Sequence, residues 1–364
     1  MANESAIRSE RRRFLRHASV GSLSAAASVA LLTPAAAQDI KGELKFGTWG
    51  GSWRDAFDKL AGAPIKSRGV SMDYVLGTPA NNFARLLAAR GRTAPIDAME
   101  SVPDLQPALI SNRFIQPIDY AKVPNAAHLP SLSRGEFGAV TCAMMSGVVY
   151  NTVKFAELGL RPPAHITDLA HPKLAGRVAF PDITHSEHVN SIVALAYERG
   201  GNESTVLNTI KDINAIKPAF FYASSTDLAA KFSAGEVWAA PWHAGFSVRL
   251  KRTGVPAGFA QPDLGGKIGS INPILFHITA GTQNLAAAQA LLNTYLEPEV
   301  QYEFTRIVGS VPMNPVARKR LMENPENRDV LLLTDEQLAN ALNVDYAKLD
   351  LQAWRDAWAR QIKR

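Results

Sequence analysis

The 364-residue chain has one cysteine, Cys142, which excludes an internal disulfide framework and a cysteine-rich metal site. It also has little excess charge, with 39 Lys+Arg against 33 Asp+Glu. Much of that excess sits in residues 1–37, which hold Arg8, Arg11, Arg12, Arg13 and Arg16. The rest is close to neutral, so no nucleic-acid partner is expected. Beyond residue 37 no run approaches the roughly 18 apolar residues of a membrane span. Enzyme signatures are missing as well. There is no G-x-S-x-G elbow and no G-x-G-x-x-G dinucleotide loop. The nearest approach to a phosphate loop, at Gly266-Lys267, has Gln261 for its first glycine and Ile268 where a magnesium-binding hydroxyl belongs. His185 and His188 stand one helical turn apart, but the sequence nominates no third metal ligand. No two tyrosines are adjacent, which removes the tyrosine pair of ferric-iron carriers. No catalytic activity, cofactor or metal is therefore expected.

What is present is globular composition, 46% hydrophobic and 20% charged. The length exceeds the roughly 250–300 residues at which one core stops growing, so two lobes are expected. Residues 1–37 read as an export signal. A basic stretch ends in Arg11-Arg12-Arg13-Phe14-Leu15-Arg16, a mild apolar run follows, and Ala35-Ala36-Ala37 closes it. The paired arginines before x-Phe-Leu point to the twin-arginine route, with cleavage after Ala37 and a soluble periplasmic product.

Short apolar runs alternate with helical patterns along the rest, as in α/β proteins. Strands are expected at residues 44–48, 70–76, 96–99 and 178–180, and helices at 82–90 and 186–199. Two long apolar stretches, 137–150 and 271–279, would cross between the lobes. Strand ends supply the candidate site, because α/β sheets hold ligands at the carboxyl ends of their strands. Trp49-Gly50-Gly51-Ser52 follows the first strand, where Ser52 can cap a helix and free N–H groups can meet an anion. Glu100, Ser101 and Asp104 follow the third. Asp182 and Thr184, with Glu187 beyond them, follow a strand of the second lobe, and Trp242, His243 and Phe246 follow another.

These residues resemble the periplasmic solute-binding proteins of ABC transporters, in the spermidine/putrescine-like group. The resemblance runs through Thr48-Trp49-Gly50-Gly51-Ser52-Trp53, Asn81-Asn82-Phe83-Ala84-Arg85-Leu86, Lys122-Val123-Pro124-Asn125-Ala126-Ala127 and Val149-Tyr150-Asn151-Thr152. It continues through Asp168-Leu169-Ala170-His171-Pro172-Lys173-Leu174-Ala175-Gly176, residues 285–296 and Glu299-Val300-Gln301. It implies a type II, two-lobed α/β fold, each lobe a mixed sheet flanked by helices, with the ligand cleft at the hinge. The expected lobes are 38–141 with 272–313, and 142–271 with 314–364. It implies a monomer that captures a small-molecule ligand and delivers it to permease subunits. By resemblance, Trp49 and Trp242 would hold the methylene chain of a polyamine-like ligand, and Asp104 lies close to a ligand-contacting position. The return strand departs from the polyamine pattern: Gly269-Ser270-Ile271-Asn272 offers neither carboxylate nor ring, leaving Asn272 as the polar candidate. Two ligand chemistries stay open. An amine would use Asp104, Asp182 or Glu187 with the two tryptophan faces. An anion would use the Gly50, Gly51 and Ser52 amides.

Overall fold

The computed structural model describes residues 40–363, apart from 329 and 330. The export signal expected in residues 1–37 lies outside the described residues.

The described residues form twelve strands: β1 Gly42–Thr48, β2 Val70–Leu76, β3 Ala98–Ser101, β4 Ile115–Gln116, β5 Ala139–Asn151, β6 Ala179–Pro181, β7 Phe220–Tyr222, β8 Ala239–His243, β9 Ala257–Ala260, β10 Ser270–Thr279, β11 Val311–Pro312 and β12 Leu342–Asn343. The main sheet runs β11-β5-β10-β3-β1-β2, with β8 and β9 also pairing β5 and with β4 and β12 pairing β10. β1 is parallel to β2 and β3, whereas β10 is antiparallel to β3 and β5. The sheet is therefore mixed. β6 and β7 pair in parallel, and the bridge from Val178 to Ala239 sets β8 alongside β6.

β1 forms because Leu44 and Phe46 alternate inward, and Phe46 stacks on Phe57 at 4.6 Å and on Phe276 at 5.3 Å. The chain then turns at Gly51, whose φ of 64° suits glycine, into a helical stretch made of Ser52–Phe57, a π-helical turn Asp58–Gly62, and Ala63–Lys66. Gly51 is thus the N-cap, with Ser52 the first helical residue. After β2, Thr78 caps the helix Pro79–Ala88 in a capping box with Asn81.

The apolar residues gather about two principal centres. Phe46, Phe57, Phe276, Tyr295 and Phe304 belong to one; Phe180, Ile192, Leu195 and Trp358 belong to the other. β5 passes from the first to the second between Met145 and Val148. There Gly147 is packed so closely that an added Cβ would lie 2.5 Å from the Ala260 carbonyl oxygen. The change thus falls a few residues beyond the 141/142 boundary expected from sequence. A larger difference comes late in the chain. Leu321, Leu331, Leu332, Leu333 and Ala341 join the first centre, because the Leu332 amide meets Met145 Sδ at 3.0 Å and the leucines pack around that contact. The chain reaches the second centre only at Leu342, so residues 314–341 do not pack with it as a unit. The helix Ala244–Arg252 also leans across, placing Ala244 and Val248 in the first centre. No helix among the described residues is long and apolar enough to cross a membrane.

Candidate ligand-binding site

Two sets of strand ends meet at the junction of these centres. On one side, the ladders between β1, β2 and β3 bring Trp49–Ser52, Gly77 and the residues after Ser101 to a common edge. On the other, β6, β7 and β8 end at Pro181, Tyr222 and His243. Their loops interlock: His185 Nε2 lies 3.0 Å from Ser225 Oγ, and the Trp242 indole N–H donates to the same hydroxyl at 3.1 Å.

The two edges are joined by Arg249. The helix Ala244–Arg252 begins directly after β8, and Gly245 lets it press against the C-terminus of the helix Pro298–Val308; an added Cβ at Gly245 would lie 2.3 Å from the Val308 carbonyl oxygen. Arg249 Nη1 then donates to Ser52 Oγ at 3.3 Å, and its Nε donates to the Gly245 carbonyl at 3.2 Å. Its guanidinium lies 3.8 Å from the Phe246 ring centre, a cation–π contact. Phe246 stacks its ring on Trp242 at 4.0 Å. Burial pulls the Arg249 pKa down to about 10, helped by the neighbouring positive charge of Arg252. It stays protonated at neutral pH, and no carboxylate lies within ion-pair distance among the described residues. The first helical amides after Gly51 point the same way as the positive end of the helix dipole.

A second polar group lies where β10 and β3 run out toward the junction. The antiparallel ladder ends where Leu275 pairs with Ser101, three residues short of Asn272 on one strand and of Asp104 on the other. Ser270 Oγ donates to Asn190 Oδ1 at 3.3 Å. Tyr346 lies against Asn190 and within the fields of Asp104 and Glu187; burial, then those two charges, raises its phenol pKa. Asp104 Oδ1, Asn190 Nδ2 and Asn272 Oδ1 are buried without a hydrogen-bond partner among the described residues. Each such atom costs about 1–3 kcal/mol when left unmatched. Burial raises the Asp104 pKa, although its backbone contacts and the charge of Arg355 oppose the rise.

Other candidates from the sequence take structural positions. Glu100 is 1% exposed and lies behind the edge, accepting from Thr48 Oγ1 at 2.5 Å and Trp53 Nε1 at 2.8 Å; burial raises it to about 7. Ser101 is likewise enclosed, 2.6 Å from His277 Nε2. Glu187 accepts from Ser146 Oγ at 2.8 Å and stands 2.8 Å from His243 Nδ1. Asp182 accepts from the Thr184 amide and hydroxyl, closing a turn. Trp242 is wholly buried among Tyr222, Phe232 and Phe246, so its ring presents no open face, contrary to the expectation of a ligand-facing tryptophan. Trp49 is half-buried, its ring 5.3 Å from Trp53. His185 and His188 do not converge with a third ligand: no group of three or more His, Cys, Asp or Glu able to hold a metal occurs among the described residues. The sequence reading missed Arg249, Asn190 and Tyr346. The available signal for Arg249 was its place one turn beyond Phe246, on a helix opening at a strand end.

Two apolar centres, the strand β5 that serves both, and strand ends at their junction define a two-centred α/β protein. The family model for bacterial extracellular solute-binding proteins matches residues 98–341, and the chain belongs to that family. Its members are the non-enzymatic binding components of transport systems. Comparison with curated proteins gave no match. Among solved structures, an ABC transporter substrate-binding protein from Bradyrhizobium japonicum USDA 110 is similar at 19% identity, with 89% of this chain and 100% of that chain covered and a TM-score of 0.71. A periplasmic binding protein from A. tumefaciens B6 in complex with glucopine is similar at 17% identity, covering 87% and 99%, with a TM-score of 0.70. A GABA receptor is similar at 17% identity, covering 88% and 98%, with a TM-score of 0.69. The fold is the type II periplasmic binding protein fold, and the chain is a bacterial extracellular solute-binding protein.

Proposed function

We propose that this component captures a small solute carrying an acidic group, and that Arg249 holds that group against Ser52 and the amides after Gly51. One observation carries the reading: Arg249 is a half-buried cation between the two edges with no carboxylate partner among the described residues. A buried charge without a counter-ion is costly, and a carboxylate or phosphonate would supply two charge-assisted hydrogen bonds in the planar geometry guanidinium favours. A pure polycation of the spermidine type would meet Arg249 as a like charge and would lose the Trp242 face, which is turned into the core.

On this reading, β5 and β10 are the hinge, and the halves are residues 40–145 with 274–341, and 148–270 with 342–363. Ligand closes them, and the closed form docks as a monomer on the permease subunits. Residues 1–37 direct export by the twin-arginine route.

Calorimetric titration of mono- and dicarboxylates, amino acids, phosphonates and polyamines tests the reading. Acid-bearing compounds should bind, and Arg249→Gln should weaken them at least tenfold. Tight binding of polyamines, with Arg249→Gln neutral or beneficial, would overturn it.

A further inference from the structure

The acidic group at Arg249 leaves the second polar group at the junction unexplained. Asn190 and Asn272 are 1% and 2% exposed, yet each has a buried polar atom with no partner among the described residues. Asp104 contributes a third such atom. Acceptors predominate: the Asp104 carboxylate and the Asn272 carbonyl oxygen, with Tyr346 alongside against the Asn190 amide. Two acceptors, one of them anionic, suit a group that donates several hydrogen bonds and carries positive charge, namely a primary or secondary ammonium.

The charged neighbours do not already satisfy this role. Arg355 is the cation whose field reaches Asp104, but its guanidinium is bound to Gln352 Oε1 at 3.2 and 3.1 Å and the residue is exposed. Glu187 is occupied by Ser146 and His243. The two poles also sit on loops that leave one sheet edge. β1 and β3 are parallel neighbours in the sheet, about 5 Å apart. Ser52 lies four residues past the end of β1 at Thr48, and Asp104 three residues past the end of β3 at Ser101.

We infer that Asp104, Asn272 and Asn190 form an ammonium-binding pole opposite Arg249, so that the transported solute is a small amino acid or an amino-acid derivative. The inference rests on the acid-binding reading of Arg249. It unites the two ligand chemistries, amine and anion, in one molecule.

The test is a calorimetric panel of matched probes on the intact protein: α- and ω-amino acids of two to six carbons, the corresponding monocarboxylates, and the corresponding alkylamines. At least one amino acid should bind a hundredfold more tightly than the monocarboxylate and the alkylamine of the same length. Asp104→Asn should reduce that advantage at least tenfold while leaving the monocarboxylate affinity within a factor of three. A monocarboxylate that binds as well as its amino acid would overturn the ammonium pole and leave the Arg249 reading standing. Amino-acid binding unaffected by Asp104→Asn would do the same. Binding indifferent to Arg249→Gln would overturn the acid-binding reading itself, and a panel with no binder would overturn both. Because the wild-type comparison needs no variant, poor folding of Asp104→Asn does not shield the inference.

Discussion

Arg249 and Ser52 lie 197 positions apart in the chain and 3.3 Å apart in space, and theirs is the hydrogen bond that spans the two facing edges. The planar guanidinium also rests on Phe246. An ammonium on a shorter, more strongly hydrated stem cannot reproduce both contacts. Arg249→Lys should therefore lower affinity for acid-bearing ligands about tenfold, equivalent to roughly 1.4 kcal/mol. Calorimetry on the tightest-binding probe measures this; equal affinity for the two proteins would show that charge alone is read there.

Glu100 provides a pH signature. Its ordinary pKa is 4.5 and burial raises it to about 7, so the folded state holds the proton more tightly than the unfolded chain. The contribution is complete below about pH 4.5 and is lost as pH rises through about 7. Glu100→Gln keeps an acceptor for Thr48 and Trp53 without the charge. The variant should match wild type near pH 4 and exceed it at pH 8 by about 3 kcal/mol, at 1.36 kcal/mol per unit. Urea denaturation at both pH values checks this, and a difference independent of pH would count against it.

Three histidines slope the other way. His277 donates from Nδ1 to the Phe137 carbonyl at 2.6 Å, since a carbonyl can only accept, and its Nε2 accepts from Ser101. Burial lowers His277 and His188 to about 4 and His185 to about 3, from 6.5. Their stability contribution is present above pH 6.5 and disappears as pH falls toward 4. They should make the melting temperature drop over that interval, against the opposing carboxylates Glu100, Asp104, Glu198 and Glu297, whose pKa values burial raises. Ring chemical shifts should give His277 a midpoint near 4; a midpoint near 6.5 would refute the neutral, enclosed ring.

Gly245 is a steric requirement. With the Val308 carbonyl oxygen 2.3 Å and the Gly309 carbonyl oxygen 2.9 Å from an added Cβ, Gly245→Ala must push backbone away from backbone. A cost of about 1–3 kcal/mol is expected, together with weaker ligand binding because the same helix carries Arg249. Denaturation and titration of the one variant would expose a failure of either half.

Arg11 and Arg12 are the proposed twin-arginine pair. Replacing both by Lys should hold precursor in the cytoplasm, as cell fractionation would read. Mature protein starting at Gln38 in the periplasm would argue for another route.

Hydrophobic alternation made the fold legible: β2 at residues 70–76 has the limits expected from pattern alone, and the first strand ends at Thr48 as expected. The strands expected to end before Glu100 and before Trp242 run on to Ser101 and His243. Alternation could not tell which way a side chain turns once a strand ends. Trp242 belongs to a strand buried on both faces, and its ring continues the core through Phe246 rather than facing out. Arg249 reads in sequence as one of three cations closing an exposed helix; only the close approach of Gly245 to Gly309 turns it inward. That Tyr346 reaches Asn190 and the field of Asp104 depends on tertiary packing that no local pattern encodes. The packing of residues 331–333 was not legible, because it depends on Met145, far upstream, which accepts from the Leu332 amide.

The chain visits each apolar centre more than once, and its last residues close both. Phe46 waits for Phe276, Trp53 for Phe304, and Phe221 for Trp358. Neither half can mature on a ribosome-bound fragment, since a chain stopped before residue 342 would leave the Phe180 side uncapped by its closing helix. Such long-separation contacts make assembly slow relative to synthesis. Loss of the helix Leu351–Gln361, which brings Trp354, Ala357 and Trp358 to the second centre, should therefore be a folding defect in a segment remote from Arg249 in sequence.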